Sequence, residues 1–176
     1  MTPNSLWPLG AAWVQIPPLA PLHWAKVTWG KLMSLREKSC GAVVFKRDGE
    51  VKYLLLHYEA GHWDYVKGQV EPHEIERDTV TRELKEETGI TDARFIEGFR
   101  EQISYFYRRE GRTVYKEVIF FLIESKESRV KLSYEHVGYE WLNYEKAMAK
   151  LTFANARRVL ERAHDFLRKN KEAQAN

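Results

Sequence analysis

The chain has 176 residues, 44% of them hydrophobic and 30% charged, which describes one ordinary soluble globular domain. A formal net charge of +3 is too small to argue by itself for a nucleic-acid partner. The single cysteine, Cys40, excludes an internal disulfide and fits a reducing, cytoplasmic compartment.

Residues 1–32 differ from the rest. They hold five of the six prolines and four of the six tryptophans, and their only charged residues are Lys26 and Lys31. No basic stretch precedes an apolar one, so a secretory signal fits poorly, and the prolines interrupt any run able to span a bilayer as a helix. This segment reads as an irregular tail, or as upstream sequence translated from too early a start with Met33 opening the protein. The alternative is an apolar segment that docks on the core or on a partner. The domain proper is then 33–176, and a monomer or a dimer satisfies it equally.

Regular patterning begins near Ser39. Cys40–Phe45 and Val51–Tyr58 are β-rich runs joined by Asp48-Gly49, a strong hairpin signal. A short extended segment around Trp63–Val66 leads into Gly68. A helix is predicted from about Ile75 to Thr88, with Pro72 and Glu74 at its start and Gly89 as its stop. Two long strands follow, Ala93–Tyr107 and Thr113–Glu124, turning at Glu110-Gly111, and another covers Gly138–Leu142. The last predicted helix, Phe153–Leu167, carries an apolar stripe of Phe153, Ala156, Leu160, Ala163 and Leu167. Strands, helix, strands, helix imply an α+β fold: a mixed sheet sandwiched between helices.

The first helix is chemically odd. Its clearest stripe is acidic: Glu76, Glu83, Glu86 and Glu87. The last three fall at i, i+3 and i+4, which sets three carboxylates side by side on one face. Each like-charged pair costs about 0.2–0.5 kcal/mol in an isolated helix. The stripe also faces the negative end of the helix dipole, a further ~0.3–1 kcal/mol per charge. A hard divalent cation removes both penalties, so the cluster is read as a magnesium or manganese site. Glu117 is a further candidate, since a carboxylate in the run before Val118-Ile119-Phe120-Phe121-Leu122 is costly unless paired or metal-bound.

Gly68-x5-Glu74-x7-Arg82-Glu83-Leu84-x-Glu86-Glu87-x-Gly89-Ile90 resembles the Nudix box at every defined position, and the resemblance spans about residues 39–170. It implies a Nudix fold and metal-dependent hydrolysis of a nucleoside diphosphate linked to another group. It implies Glu83, Glu86 and Glu87 as metal ligands, joined by the backbone carbonyl of Lys67. Arg82 would pair with Glu74 and lock the loop onto the helix. Glu86 or Glu117 would accept the proton of the attacking water.

Outside the box, His62-Trp63, Val70–Pro72, Ser133–Leu142 and Leu151–Phe153 resemble the asymmetrical diadenosine tetraphosphate hydrolases of the animal and archaeal type. That likeness implies cleavage to ATP and AMP, with Tyr105 and Phe153 stacking on adenine. His62, Lys67 and Lys116 are candidates for the phosphate chain. For His136 a structural hydrogen bond is expected. Two residues depart from the pattern: Val66 stands where the family has proline, and His73 where it has glycine. Both reshape the loop beside the substrate.

Other readings stay open. RNA 5′ ends would favour a basic path such as Arg108, Arg109, Arg112 and Lys116, though a charged hairpin tip explains those residues too. A nucleotide-binding module without hydrolysis would be expected to have lost box glutamates, and all four are present.

Overall fold

The computed structural model describes residues 35–175; the Pro- and Trp-rich extension, 1–32, lies outside the described residues. β1 (Leu35–Asp48) reverses at Gly49, whose φ of 72° suits a residue without Cβ, into β2 (Glu50–Tyr58). The segment before the box splits into β3 (Trp63–Asp64) and β4 (Val66–Gln69). After α1 (Glu76–Thr88) come β5 (Arg94–Arg109), β6 (Arg112–Glu124) and β7 (His136–Leu142). α2 (Tyr144–Lys150) and α3 (Ala154–Ala175) complete the chain.

The seven strands form one sheet in the order β3-β2-β1-β6-β5, with β4 also paired to β1 and β7 to β2. β1 and β6 run parallel; the other pairs are antiparallel, so the sheet is mixed, as expected. Alternation along the strands divides the core in two. Val43, Phe45, Tyr53, Leu55, Val118, Phe120 and Leu122 face Ala147 and Leu151 at α2 and Ala156, Val159, Leu160, Ala163 and Leu167 of α3. On the opposite face, Cys40, Ala42, Val44, Leu54, Leu56, Ile119, Phe121 and Ile123 meet Val80 and Leu84 of α1. Fully burying two such side chains contributes about 3–6 kcal/mol, which holds α1 down despite its acidic stripe.

Several boundaries moved. β1 begins at Leu35 because its polar start, Arg36-Glu37-Lys38, pairs with Tyr115, Lys116 and Glu117 of β6. α2 was not expected: seven residues show little periodicity, and its signal is Asn143, whose side chain accepts from Lys146 N at 3.1 Å. Helical spacing places Phe153 on the apolar stripe of the last helix, but it stands just before α3, 37% exposed. No helix among the described residues is long and apolar enough to cross a membrane.

Candidate active site

α1 ends as its sequence predicts. Gly89 takes φ 71° and its N–H reaches Lys85 O at 2.9 Å. The carbonyls that the helix end leaves open are met from far along the chain: Lys131 N donates to Thr88 O at 2.8 Å and Ser133 N to Glu87 O at 3.2 Å. This ties the strand-free segment before β7 to the acidic turn.

At the other end, Glu74 N donates to Glu71 O at 3.1 Å, closing a turn with Pro72 and His73 at its centre. His73 has φ 73°, the left-handed value that a type II turn demands at that position. The family's glycine there has a steric reason, and the histidine carries strain of about 1–2 kcal/mol. Val66, where the family has proline, is buried and pairs with Ala42.

Arg82 and Glu74 form the expected pair in bidentate geometry: Nε to Oε1 at 2.7 Å and Nη2 to Oε2 at 3.0 Å. Thr79 Oγ1 donates to the same carboxylate at 2.7 Å, and Arg82 Nη2 also holds Gln69 O at 2.9 Å. The Arg82 and Thr79 hydrogen bonds hold the Glu74 carboxyl down at about 2. The guanidinium thereby fastens α1 to the loop on β4.

The three stripe carboxylates occupy different surroundings. Arg82 Nη1 stands between Glu83 (2.6 Å) and Glu86 (3.2 Å). Glu83 lies against Gly68, where a Cβ would overlap its carboxylate, and burial raises its pKa despite Arg82. Glu86 has 59% of its side chain exposed. Glu87 is 4% exposed, its Oε2 3.4 Å from Lys67 N and 3.7 Å from His136 Nε2. Burial above all raises Glu87 to about 8, with Lys67 pulling it down and the Glu83 and Glu135 charges pushing it up. Glu76, fourth in the acidic stripe, is spoken for: Arg100 binds it bidentately at 2.8 and 2.9 Å and Lys38 at 2.8 Å.

These residues fit a divalent cation. All the donors are oxygens, which suits a hard ion. Gly68 leaves room for Glu83 beside the β4 backbone at Lys67. A guanidinium nitrogen already sits between Glu83 and Glu86, and Glu87 is a buried acid without adequate counter-charge. Among the described residues, no three acidic, histidine or cysteine side chains converge on one point as they stand: Glu83 and Glu86 turn to Arg82, Glu87 to the Lys67 N–H.

Glu117 lies on β6 opposite Lys38 and Ser104, on the sheet face that α1 covers, and its charge acts on Lys38 and Arg100. The outside carboxylate felt by Glu83 and Glu87 is instead Glu135, which the sequence reading passed over as a site residue. Its one signal was adjacency to His136 in an acidic-aromatic stretch.

The substrate candidates gather on the α2–α3 side. Lys67 Nζ pairs with Asp64 Oδ2 at 3.0 Å and Tyr58 Oη at 3.1 Å; burial works to lower its pKa, but these partners hold it raised. Lys116 is lowered by burial and then by the Lys67 charge. Tyr105 pairs across strands with Lys116 and feels the charges of Lys67 and Asp64. His62 stacks on Tyr58 at 4.5 Å between centroids and tilts toward Phe153 at 5.3 Å. Phe153 is set there by two bonds between its neighbour and β3: Trp63 N to Thr152 Oγ1 at 2.9 Å and Thr152 N to Trp63 O at 3.2 Å. A lysine, Lys116, whose charge burial and Lys67 disfavour, flanked by exposed or half-buried rings, suits a polyphosphate carrying a base.

Of the basic residues near Glu110-Gly111, Arg109, Arg112 and Lys116 share one face of the sheet, with Arg109 bound to Glu37 at 2.7 Å, whereas Arg108 alternates with Lys116's partner Tyr105 and faces the opposite side.

A family model described as NUDIX domain matches residues 35–163. The mouse bis(5′-nucleosyl)-tetraphosphatase [asymmetrical] is 36% identical over 148 residues, covering 77% of this chain and 97% of that protein. The Caenorhabditis elegans protein of the same name is 31% identical over 134 residues, covering 74% and 96%. A crystal structure of a C. elegans Ap4A hydrolase binary complex superposes with a TM-score of 0.68 at 30% identity, covering 76% of this chain and 98% of that one.

Proposed function

This chain belongs to the NUDIX family, and on that premise we propose that it hydrolyses diadenosine tetraphosphate to ATP and AMP at a magnesium or manganese ion held by Glu83, Glu86 and Glu87. One observation carries the reading: an acidic turn with a buried, under-compensated carboxylate at Glu87 adjoins, through Lys67, a bay of lysines and aromatic rings. When bound, the ion neutralises phosphate oxygens and makes a coordinated water more acidic.

The chain's own residues do the rest. The Lys67 backbone carbonyl and the three glutamates would hold the ion, and Arg82 Nη1 sets Glu83 and Glu86 beside one another. Glu86, the exposed member, turns from Arg82 and accepts the proton of the attacking water; Glu135 stands second for that task and Glu117 third. Water adds in line to one phosphorus, the anhydride bond to the next phosphate breaks, and the oxygen that leaves carries its negative charge into product. Lys116, Lys67 and His62 orient the phosphate chain. Tyr105 and Phe153 stack on adenine, each contact contributing about 1–3 kcal/mol.

The test is incubation with magnesium and a panel of dinucleoside polyphosphates, triphosphorylated or capped RNA, and nucleoside triphosphates. ATP plus AMP from the tetraphosphate, formed faster than any other product, is expected. ADP alone would reject asymmetric cleavage. Faster release from RNA 5′ ends would replace the substrate assignment, and no turnover at all would leave a nucleotide-binding module.

A further inference from the structure

Beside the acidic turn lies a buried group with no task in that reaction. His136 opens β7 with its side chain fully enclosed. Its Nδ1 lies 3.1 Å from Ser133 Oγ, and the Tyr58 ring packs edge-on at 4.3 Å between centroids. Its Nε2 has no hydrogen-bond partner among the described residues. Leaving a buried polar atom unmatched costs about 1–3 kcal/mol, so packing alone would favour an apolar ring here.

Glu87 Oε2 lies 3.7 Å from Nε2. That is beyond hydrogen-bond range, yet the same oxygen is also only loosely held by Lys67 N, at 3.4 Å. The carboxylate thus sits slack between two donors. With Glu87 ionised, as a metal ligand must be, a bare Nε2 would set its lone pair against the carboxylate, whereas Nε2–H attracts it and lets the Ser133 hydroxyl donate to Nδ1. The main chain reinforces the arrangement, because Ser133 N bonds Glu87 O at 3.2 Å and His136 N bonds Ser133 O at 3.3 Å.

We propose that His136 is a positioning residue for Glu87: its Nε2–H closes onto Oε2 when the carboxylate takes its place on a divalent cation. The assignment rests on the reading of Glu87 as a metal ligand. Hydrogen bonds that steer a ligating side chain are typically worth about 10–100-fold in metal affinity.

The test is calorimetric titration of the full chain with Mn2+, with melting temperatures recorded for each variant without metal. Glu87→Gln serves as the control on the site itself. His136→Phe is expected to keep its fold and weaken Mn2+ binding by about 10–100-fold. His136→Gln, whose amide N–H reaches the same place, is expected to recover affinity to within about threefold of the unaltered chain. Should His136→Phe fail to fold, Ser133→Ala decides, with an expected loss of about three- to tenfold. Undiminished Mn2+ affinity in His136→Phe, or equal losses in the Phe and Gln variants, overturns the assignment while Glu87→Gln still reports on the metal site. Failure of the unaltered chain to bind Mn2+ overturns both.

Discussion

A methyl group on Gly68 would overlap the carboxylate of Glu83. The first residue of the box and the first of the clustered glutamates are thus in van der Waals contact, and the absence of a side chain on one makes room for the other. The obstacle would be the far end of a flexible side chain, which can swing aside. Gly68→Ala is therefore expected to melt within a few degrees of the unaltered protein but to lose about 10–100-fold in Mn2+ affinity, read by calorimetry. A melting collapse instead would place the contact in the core.

Glu86 is the most exposed of the three clustered carboxylates, and its removal relieves like-charge repulsion near the negative end of α1. Glu86→Gln should lower kcat on the order of a thousandfold, the loss typical of a positioned general base. Without metal its melting temperature should stay equal or rise. Steady-state kinetics and thermal melts check the pair of outcomes; a marked fall in melting temperature would give Glu86 a structural task.

Phe153 and Tyr105 separate stacking from packing. Phe153 is 37% exposed, so Phe153→Ala should leave the melt nearly unchanged and raise KM for diadenosine tetraphosphate roughly 5- to 150-fold, with a smaller change in kcat. Tyr105 packs partly against the core, so Tyr105→Ala should raise KM similarly and also lower stability. Unchanged KM in both variants would remove the aromatic clamp.

Glu76 supplies the acid limb of stability. Arg100 above all, then Lys38, hold its carboxyl at about 2, below the ordinary 4.5. A folded value below the unfolded one means stabilisation that is complete above pH 4.5 and disappears as pH falls toward 2. With 26% of the side chain exposed, solvent screening leaves about 1 kcal/mol. Chemical denaturation of Glu76→Gln and the unaltered chain should show that gap at pH 6 and none at pH 2; a gap constant with pH would refute the assignment.

His73 holds φ 73° at a turn position that favours glycine. His73→Gly should therefore stabilise the protein by about 1 kcal/mol, the relief of left-handed strain less the added freedom of the unfolded chain. Denaturant titration would show it as a raised midpoint at constant slope.

Much of the fold was legible because its signals are local. Gly89 stops α1, Gly49 and Gly111 turn the hairpins at φ 72° and 73°, and alternation marks the strands. The Arg82–Glu74 pair followed from family resemblance and is present in bidentate form. α2 escaped because seven residues and one asparagine cap give almost no pattern. Phe153 was misplaced because helical spacing cannot tell the residue before a helix from one within it. Glu135 and His136 are brought to the acidic turn by Lys131 N–Thr88 O and Ser133 N–Glu87 O, bonds spanning more than forty residues, for which no local pattern exists.

The spacing of Glu83, Glu86 and Glu87 settled by itself that acids crowd one helix face, because i, i+3 and i+4 coincide on any α-helix whatever surrounds it. Only the tertiary structure decided what each acid became: Glu76 a salt-bridge partner, Glu86 an exposed carboxylate, Glu87 a buried acid raised to about 8. Burial and the charges brought up by other strands set those fates, and both are properties of neighbours in space rather than in sequence.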